Sequence, residues 1–137
     1  MGGQMLTIEA IDHVVFNVRD VEASACWYSR ILGMDRTDTP SDQGEYRTSM
    51  TFGQTKTNLR PIFASQEGWF TGKSPSVGGQ DLCFLTDLPP EEVTAHFRDC
   101  NVKVEVGPVT KRGARGPICS VYVRDPDGNL IEVSSYE

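Results

Sequence analysis

The feature that most constrains what this chain can fold into is that it reads twice. "HVVFNV" (13–18) lies over "DLCFLT" (81–86), two short apolar strands with a polar residue at the head and Phe fourth. At the same offset of 68 each strand runs into a helix. The first helix opens at Asp20, an N-cap residue, places Val21, Ala25, Tyr28 and Leu32 on one stripe and ends at Gly33. The second opens near Asp87 and carries Pro89 and Pro90 in its first turn. Glu91 and Glu92 follow, where the helix dipole favours acid. It buries Val93, Phe97 and Cys100 and stops at Asn101, which tolerates the left-handed cap. At an offset of 71, "MTFGQTKTNLRPIF" (50–63) lies without a gap over "VYVRDPDGNLIEVS" (121–134), with Asn58-Leu59 on Asn129-Leu130. The spacing predicts two copies of a strand–helix–strand–strand–strand unit. The connection is "SQEGWFTGKSPSVGGQ" (65–80), rich in Gly, Ser and Pro. The expected boundaries are module one at about 9–64, a linker at about 65–79 and module two at about 80–136, within one domain spanning 1–137.

Alternation along the strands then sorts residues onto faces. Val14, Phe16 and Val18 form a dry face for a helix to cover, and His13, Val15 and Asn17 share the other. In the second copy the matching wet-face residues are Asp81, Cys83 and Leu85. "RTSMTF" sets Met50 and Phe52 against Arg47, Ser49 and Thr51, and "ICSVYV" sets Cys119, Val121 and Val123 against Ile118, Ser120 and Tyr122. Each half becomes a sheet with one dry face and one mixed polar face. Two such sheets side by side make an α+β fold of cupped mixed sheets around a cavity, helices on the outside. Glu132, a carboxylate inside the apolar strand of "RDPDGNLIEV" (124–133), then faces the cup with His13 and Asp81. One imidazole and two carboxylates form a plausible divalent-metal set with open positions for water or substrate. The donors favour Mn²⁺ or Fe²⁺, with Zn²⁺, Ni²⁺ or Mg²⁺ as alternatives.

Composition bounds the function. A net charge of −6 argues against nucleic acid as a partner. No stretch approaches the roughly 18 apolar residues of a membrane span, and the start "MGGQMLTIEA" has no signal-peptide layout. Cys26, Cys83, Cys100 and Cys119 lie far apart and form no CxxC pair, which reads as reduced thiols in a cytoplasmic protein.

"IDHVVFNVRDVEASACWYSRILGM", "DLCFLTDLPPEEVTAHFRD" and "SVYVRDPDGNLIEVSSY" together resemble the vicinal oxygen chelate superfamily. That superfamily includes glyoxalase I, extradiol dioxygenases, fosfomycin-resistance thiol transferases and bleomycin-binding proteins. The resemblance covers roughly residues 9 to 136, and the closest-looking group is the small glyoxalase-domain proteins whose reaction is mostly unassigned. It implies paired βαβββ modules, a homodimer, and metal ligands at His13, Asp81 and Glu132. Asp81 stands where the family commonly has His. Glyoxalase-type members carry a fourth, carboxylate ligand in the first module. The offset of 71 puts Pro61 there, which disfavours glyoxalase I activity. Ser120 and Tyr122 fall where the fosfomycin enzymes contact substrate. The reading is a metal-dependent enzyme, a lyase or isomerase, a dioxygenase or a thiol transferase, whose small substrate chelates the ion through two neighbouring oxygens. Tyr122 and Glu132 are the candidate catalytic residues, and no dedicated glutathione signature is readable. The alternative is a metal-free small-molecule binder of the bleomycin-resistance type.

Around that set, Arg47, Ser49, Thr51, Phe63, Trp69 and Ser120 are candidate substrate-binding residues, with Arg47 fixing substrate charge. The run "TKRGARG" (110–116), with Lys111, Arg112 and Arg115, reads as a solvated hairpin loop or as a lid whose Arg115 clamps an anion. Alternation points Arg60 away from the cup. Trp27 and Tyr28 read as packing residues, and "DPDG" as a turn and not a calcium loop, because its Gly128 comes fourth where that loop needs glycine sixth.

Overall fold

The structure, a computed structural model, describes residues 3–136. Module one comprises β1 (His13–Val18), α1 (Val21–Leu32), β2 (Asp35–Pro40), β3 (Tyr46–Phe52) and β4 (Thr55–Pro61). Module two repeats the order with β5 (Asp81–Leu85), α2 (Pro90–Asp99), β6 (Val106–Gly113), β7 (Gly116–Arg124) and β8 (Leu130–Tyr136). These are the βαβββ modules that the sequence predicts. Each forms a four-stranded mixed sheet, in order β1-β4-β3-β2 and β5-β8-β7-β6, with the first strand parallel to the last and the others antiparallel.

Local chemistry sets the helix limits. The Asp20 carboxylate accepts from the Ala23 N–H at 3.1 Å, and Gly33 closes α1 at φ 68, a conformation that costs glycine nothing. The second helix starts at Pro90, three residues beyond the expected Asp87. A residue before proline is pushed out of the helical region, so Pro89 stays extended at φ −67, ψ 155 and the helix waits for Pro90. Its other end is as expected, with Asn101 at φ 60.

The dry faces of both modules merge into one core. Phe16, Val18, Tyr28, Met50 and Leu59 from module one meet Val93, Phe97, Val121, Val123 and Ile131 from module two. Burying one such side chain stabilises the fold by about 1.5–3 kcal/mol. Several directional contacts join the halves, among them Arg19 and Ser24 on Asp127 and three that lie deeper. The Tyr28 hydroxyl donates to Asp125 at 2.6 Å, a His96 ring nitrogen meets the Ile31 carbonyl at 2.7 Å, and Phe52 packs edge-on against Phe84. Tyr28 therefore does more than pack. Asp125, the first residue of the DPDG turn, also accepts from Asp127 N, Asn129 N and Asn129 Nδ2, which makes the turn a clasp on α1.

The repeat holds, but its spacing is not constant. Parallel pairing sets Val15 beside Asn58 in one module and Cys83 beside Glu132 in the other. Antiparallel pairing sets Ser49 opposite Asn58 and Tyr122 opposite Glu132. The counterpart of Glu132 is therefore Asn58, at an offset of 74, and not Pro61 at 71. Two residues, Gly53 and Gln54, join β3 to β4, whereas five residues, 125–129, join β7 to β8. The ungapped comparison had matched Asn58, inside a strand, to Asn129, inside a turn. The same shift corrects Arg60, which lies on the wet face of β4 with Lys56 and Asn58 while Leu59 faces the core.

Candidate functional site

No strand pairing joins the two sheets among the described residues, and each polar face has its own cavity. The module-two cavity, about 350 Å³, is lined by Asp81, Lys111, Tyr122 and Glu132, with Glu105 and Arg124 at its side. The parallel β5–β8 register puts Asp81 and Glu132 on one face, two residues apart along the strands. Tyr122 comes from β7, directly opposite Glu132.

A polar ladder fixes Glu132 from below. Ser120, fully buried, donates to Glu132 Oε2 at 2.6 Å and meets Ser134 Oγ at 2.7 Å, and the Cys83 thiol reaches Ser134 at 3.3 Å. Tyr122 stays protonated across the physiological range. Desolvation first, then the hydrogen bond and negative charge of Glu132, push its phenol up to about 12. The Lys111 ammonium stands 5.9 Å from the Tyr122 ring centroid. The concavity therefore offers the Asp81 and Glu132 carboxylates and a protonated phenol, while its third carboxylate, Glu105, is paired with Arg124 at 3.3 Å. Ser120 supports this group from beneath and does not line the cavity.

His13 stands apart from them. It is exposed on β1, its Nδ1 2.8 Å from Asp12 Oδ1, and among the described residues no three His, Cys, Asp or Glu side chains gather around one point. One chain by itself does not assemble the expected ligand set. The donor chemistry nevertheless fits a hard divalent ion in two halves. Asp81 and Glu132 supply oxygens from module two. An imidazole whose Nδ1 donates to Asp12 keeps Nε2 as a lone-pair donor, the arrangement usual in metal-bound histidines.

The module-one cavity, about 300 Å³, brings together Arg47, Ser49 and Trp69 as expected. It adds Lys56 and Asn58, which the mistaken register had hidden. The Arg47 guanidinium lies 4.4 Å from the Trp69 ring centroid and donates to the Gly68 carbonyl at 2.9 Å. Three expected site residues lie elsewhere. Phe63 is 87% exposed just beyond β4, Thr51 donates to the Asp35 carbonyl, and Arg115 stacks on Tyr136 beside a separate surface cavity. The segment 110–116 is mostly strand, because β6 runs to Gly113 and β7 resumes at Gly116. Lys111 was legible as part of the basic run but not as a site residue, since only the β6–β7 register aims it at Tyr122.

Paired βαβββ modules, each with a polar concave face, define a class of small-molecule-binding folds. The chain belongs to the Glyoxalase/Bleomycin resistance protein/Dioxygenase superfamily, whose family model matches residues 10–133. It is 37% identical over 133 residues to Virulence protein STM3117 of Salmonella typhimurium, covering 96% of this chain and 87% of that protein. It is 38% identical over 137 residues to the Glyoxalase domain-containing protein RDO1 of Mycosarcoma maydis, covering 98% and 72%. Among solved structures, VPC_CASS1 from the mobile metagenome of V. pseudocholerae superposes with a TM-score of 0.90 at 36% identity, covering 98% of this chain and 99% of that one.

Proposed function

We propose that this protein is a divalent-metal-dependent enzyme that acts on a small substrate presenting two neighbouring oxygens, with its site completed between two copies of the chain. The observation that carries the reading is the placement of Asp81 and Glu132 on one face of adjacent parallel strands, in one cavity with Tyr122. Since His13 does not reach them within a chain, it would act with the partner subunit's Asp81 and Glu132. Two features support pairing of copies. The first strands of both sheets, β1 and β5, have open edges, and exposed edges invite pairing. Residues 3–12 lead into β1 with Met5, Leu6, Ile8 and Ile11 each more than 70% exposed.

When bound, the ion supplies Lewis-acid polarisation of the substrate oxygens, with Mn²⁺ or Fe²⁺ suited to the donors. The chain's own residues do the rest. Tyr122, held protonated by its surroundings, donates a hydrogen bond or a proton to the substrate from its phenol oxygen. Ser120 holds the Glu132 carboxylate in a fixed rotamer. The amide Asn58 stands where the fourth carboxylate of a glyoxalase I site would stand, so the ligand set is three and that reaction is disfavoured.

The test is metal content by plasma mass spectrometry on protein purified without a nickel column, in wild type and in Glu132→Ala. About one Mn, Fe, Zn or Ni per chain, lost in the variant, supports the reading. No metal, and no uptake of added Mn²⁺ or Fe²⁺, sinks it. A metal-free binding protein is then the second reading. It is favoured by the Ser120 and Ser134 hydroxyls, which donate to Glu132 Oε2 at 2.6 and 3.4 Å from within the protein.

A further inference from the structure

The concave face of module one runs against the charge of the whole protein. The net charge is −6, yet Arg47 and Lys56 line this cavity, with Asp42 its one acidic lining residue. Arg60, on the same face of β4, is only 1% exposed. Its donors all go to neutral acceptors: Asn17 Oδ1 at 2.7 Å and the carbonyls of Ala64 at 2.7 Å, Trp69 at 3.0 Å and Ser65 at 3.3 Å. Among the described residues no carboxylate forms an ion pair with Arg47, Lys56 or Arg60. The register sets Arg47 one step beyond the Thr48–Leu59 pair, opposite Arg60. Like charges facing each other across a strand pair weaken a sheet, and a buried cation lacking a counter-charge weakens it further.

The hydrogen-bonding capacity left over is of one kind. Ser49 Oγ donates to Asn58 Oδ1 at 2.6 Å, which uses the amide oxygen and leaves the Asn58 NH₂ group. Arg47 keeps guanidinium donors beyond the one given to Gly68, and Lys56 has its whole ammonium. The cavity thus presents donors and positive potential from β3 and β4, beside the flat wall of Trp69. Guanidinium and ammonium groups gathered in this way match the oxygens of an anion.

We propose that the module-one cavity is an anion site for the carboxylate or phosphate group of a small molecule. Arg47, Lys56 and Asn58 bind its oxygens, the buried Arg60 charge adds to the potential, and Trp69 packs the adjoining carbon skeleton. Where a partner copy brings its module-two cavity against this one, as the reading above requires, the substrate is an organic anion with its charge at one end and its oxygen pair at the other. Only the second half of that description rests on the metal reading above, because the anion site stands on module one alone.

The test uses metal-stripped full-length protein carrying Trp27→Phe, so that Trp69 is the sole indole. Sodium phosphate and, separately, sodium acetate are titrated at ionic strength held constant with sodium chloride, and Trp69 fluorescence is read. A saturable change with either anion is expected, and the one acting at lower concentration identifies the group preferred. Arg47→Gln and Lys56→Gln should each weaken binding about tenfold or more, while Lys103→Gln, away from the cavity, leaves it unchanged. Circular dichroism confirms that each variant is folded. A response no greater than the chloride control overturns the proposal, as does one insensitive to both cavity variants or weakened equally by Lys103→Gln. Anion binding without metal uptake would reject the metal reading and keep this one. Metal uptake without anion binding would do the reverse.

Discussion

Replacing Tyr28 by Phe removes one hydroxyl and nothing else, and the structure fixes what that hydroxyl does. It is fully buried and donates to Asp125 Oδ2 at 2.6 Å, across the boundary between the modules. Burial, followed by the Asp125 charge and their hydrogen bond, pushes the phenol far above its ordinary range, so it is a donor at every accessible pH. A hydrogen bond to a charged group contributes about 1.5–3 kcal/mol. Asp125 keeps three other donors, at 2.7, 2.9 and 2.9 Å, so the carboxylate is not stranded and the loss falls in the lower part of that range. Tyr28→Phe should therefore cost about 2 kcal/mol, roughly a thirtyfold fall in the folding equilibrium. For a domain of this size that lowers the urea midpoint by about 1 M with the slope unchanged. Asp125→Ala should cost more, about 3–5 kcal/mol, because it strands the Tyr28 hydroxyl and the Asn129 donors together. The assay is urea unfolding followed by circular dichroism and fluorescence, at one protein concentration so that association does not enter. A loss under about 0.5 kcal/mol in Tyr28→Phe would refute the argument that the turn clasps α1.

Arg60→Met should destabilise by more than about 3 kcal/mol in the same assay, because it strands the Trp69 and Ala64 carbonyls and Asn17 Oδ1; a loss below about 1 kcal/mol would mean that water replaces the guanidinium. In alkaline titration at 295 nm, the wild-type minus Tyr122→Phe difference should have its midpoint near 12, and Glu132→Gln should lower it. An ordinary midpoint near about 10 would contradict the stated environment of Tyr122. Because the unfolded chain gives up this proton first, Tyr122 stabilises the fold below about pH 10 and that contribution is lost as pH rises towards about 12. His13→Ala and Glu132→Ala should each abolish metal uptake, yet chains of the two variants refolded together should recover about a quarter of the sites. Half of the dimers are then mixed, and each mixed dimer holds one intact site. No recovery would mean that the ligands do not come from two chains.

Much of this was legible beforehand where the signal is local. The Asp20 cap, the Gly33 and Asn101 stops, and the alternation that buries Phe16, Met50 and Val121 depend on a few neighbouring residues each. The site was legible by face but not by register. Asp81, Tyr122 and Glu132 share a cavity as alternation predicts, and so do Arg47 and Ser49, with Trp69 of the connecting segment beside them. Asn58 was misread because Asn58-Leu59 resembles Asn129-Leu130 in sequence while one pair sits in a strand and the other at a turn. Hairpin register follows turn length, which a gapless comparison holds constant.

By itself the sequence determined the two βαβββ units, their helix ends and the sides on which polar residues fall, because periodicity and capping act over a few residues. Tertiary structure decided what lies opposite what. It set Asn58 in the place of Glu132, turned Arg60 into the wet face, and aimed Lys111 at Tyr122. It also parted His13 from the carboxylates, because within one chain the modules meet through their dry faces and leave each polar face with its own cavity. Those outcomes depend on which strand edges pair and how far each hairpin slides, and long-range packing settles both.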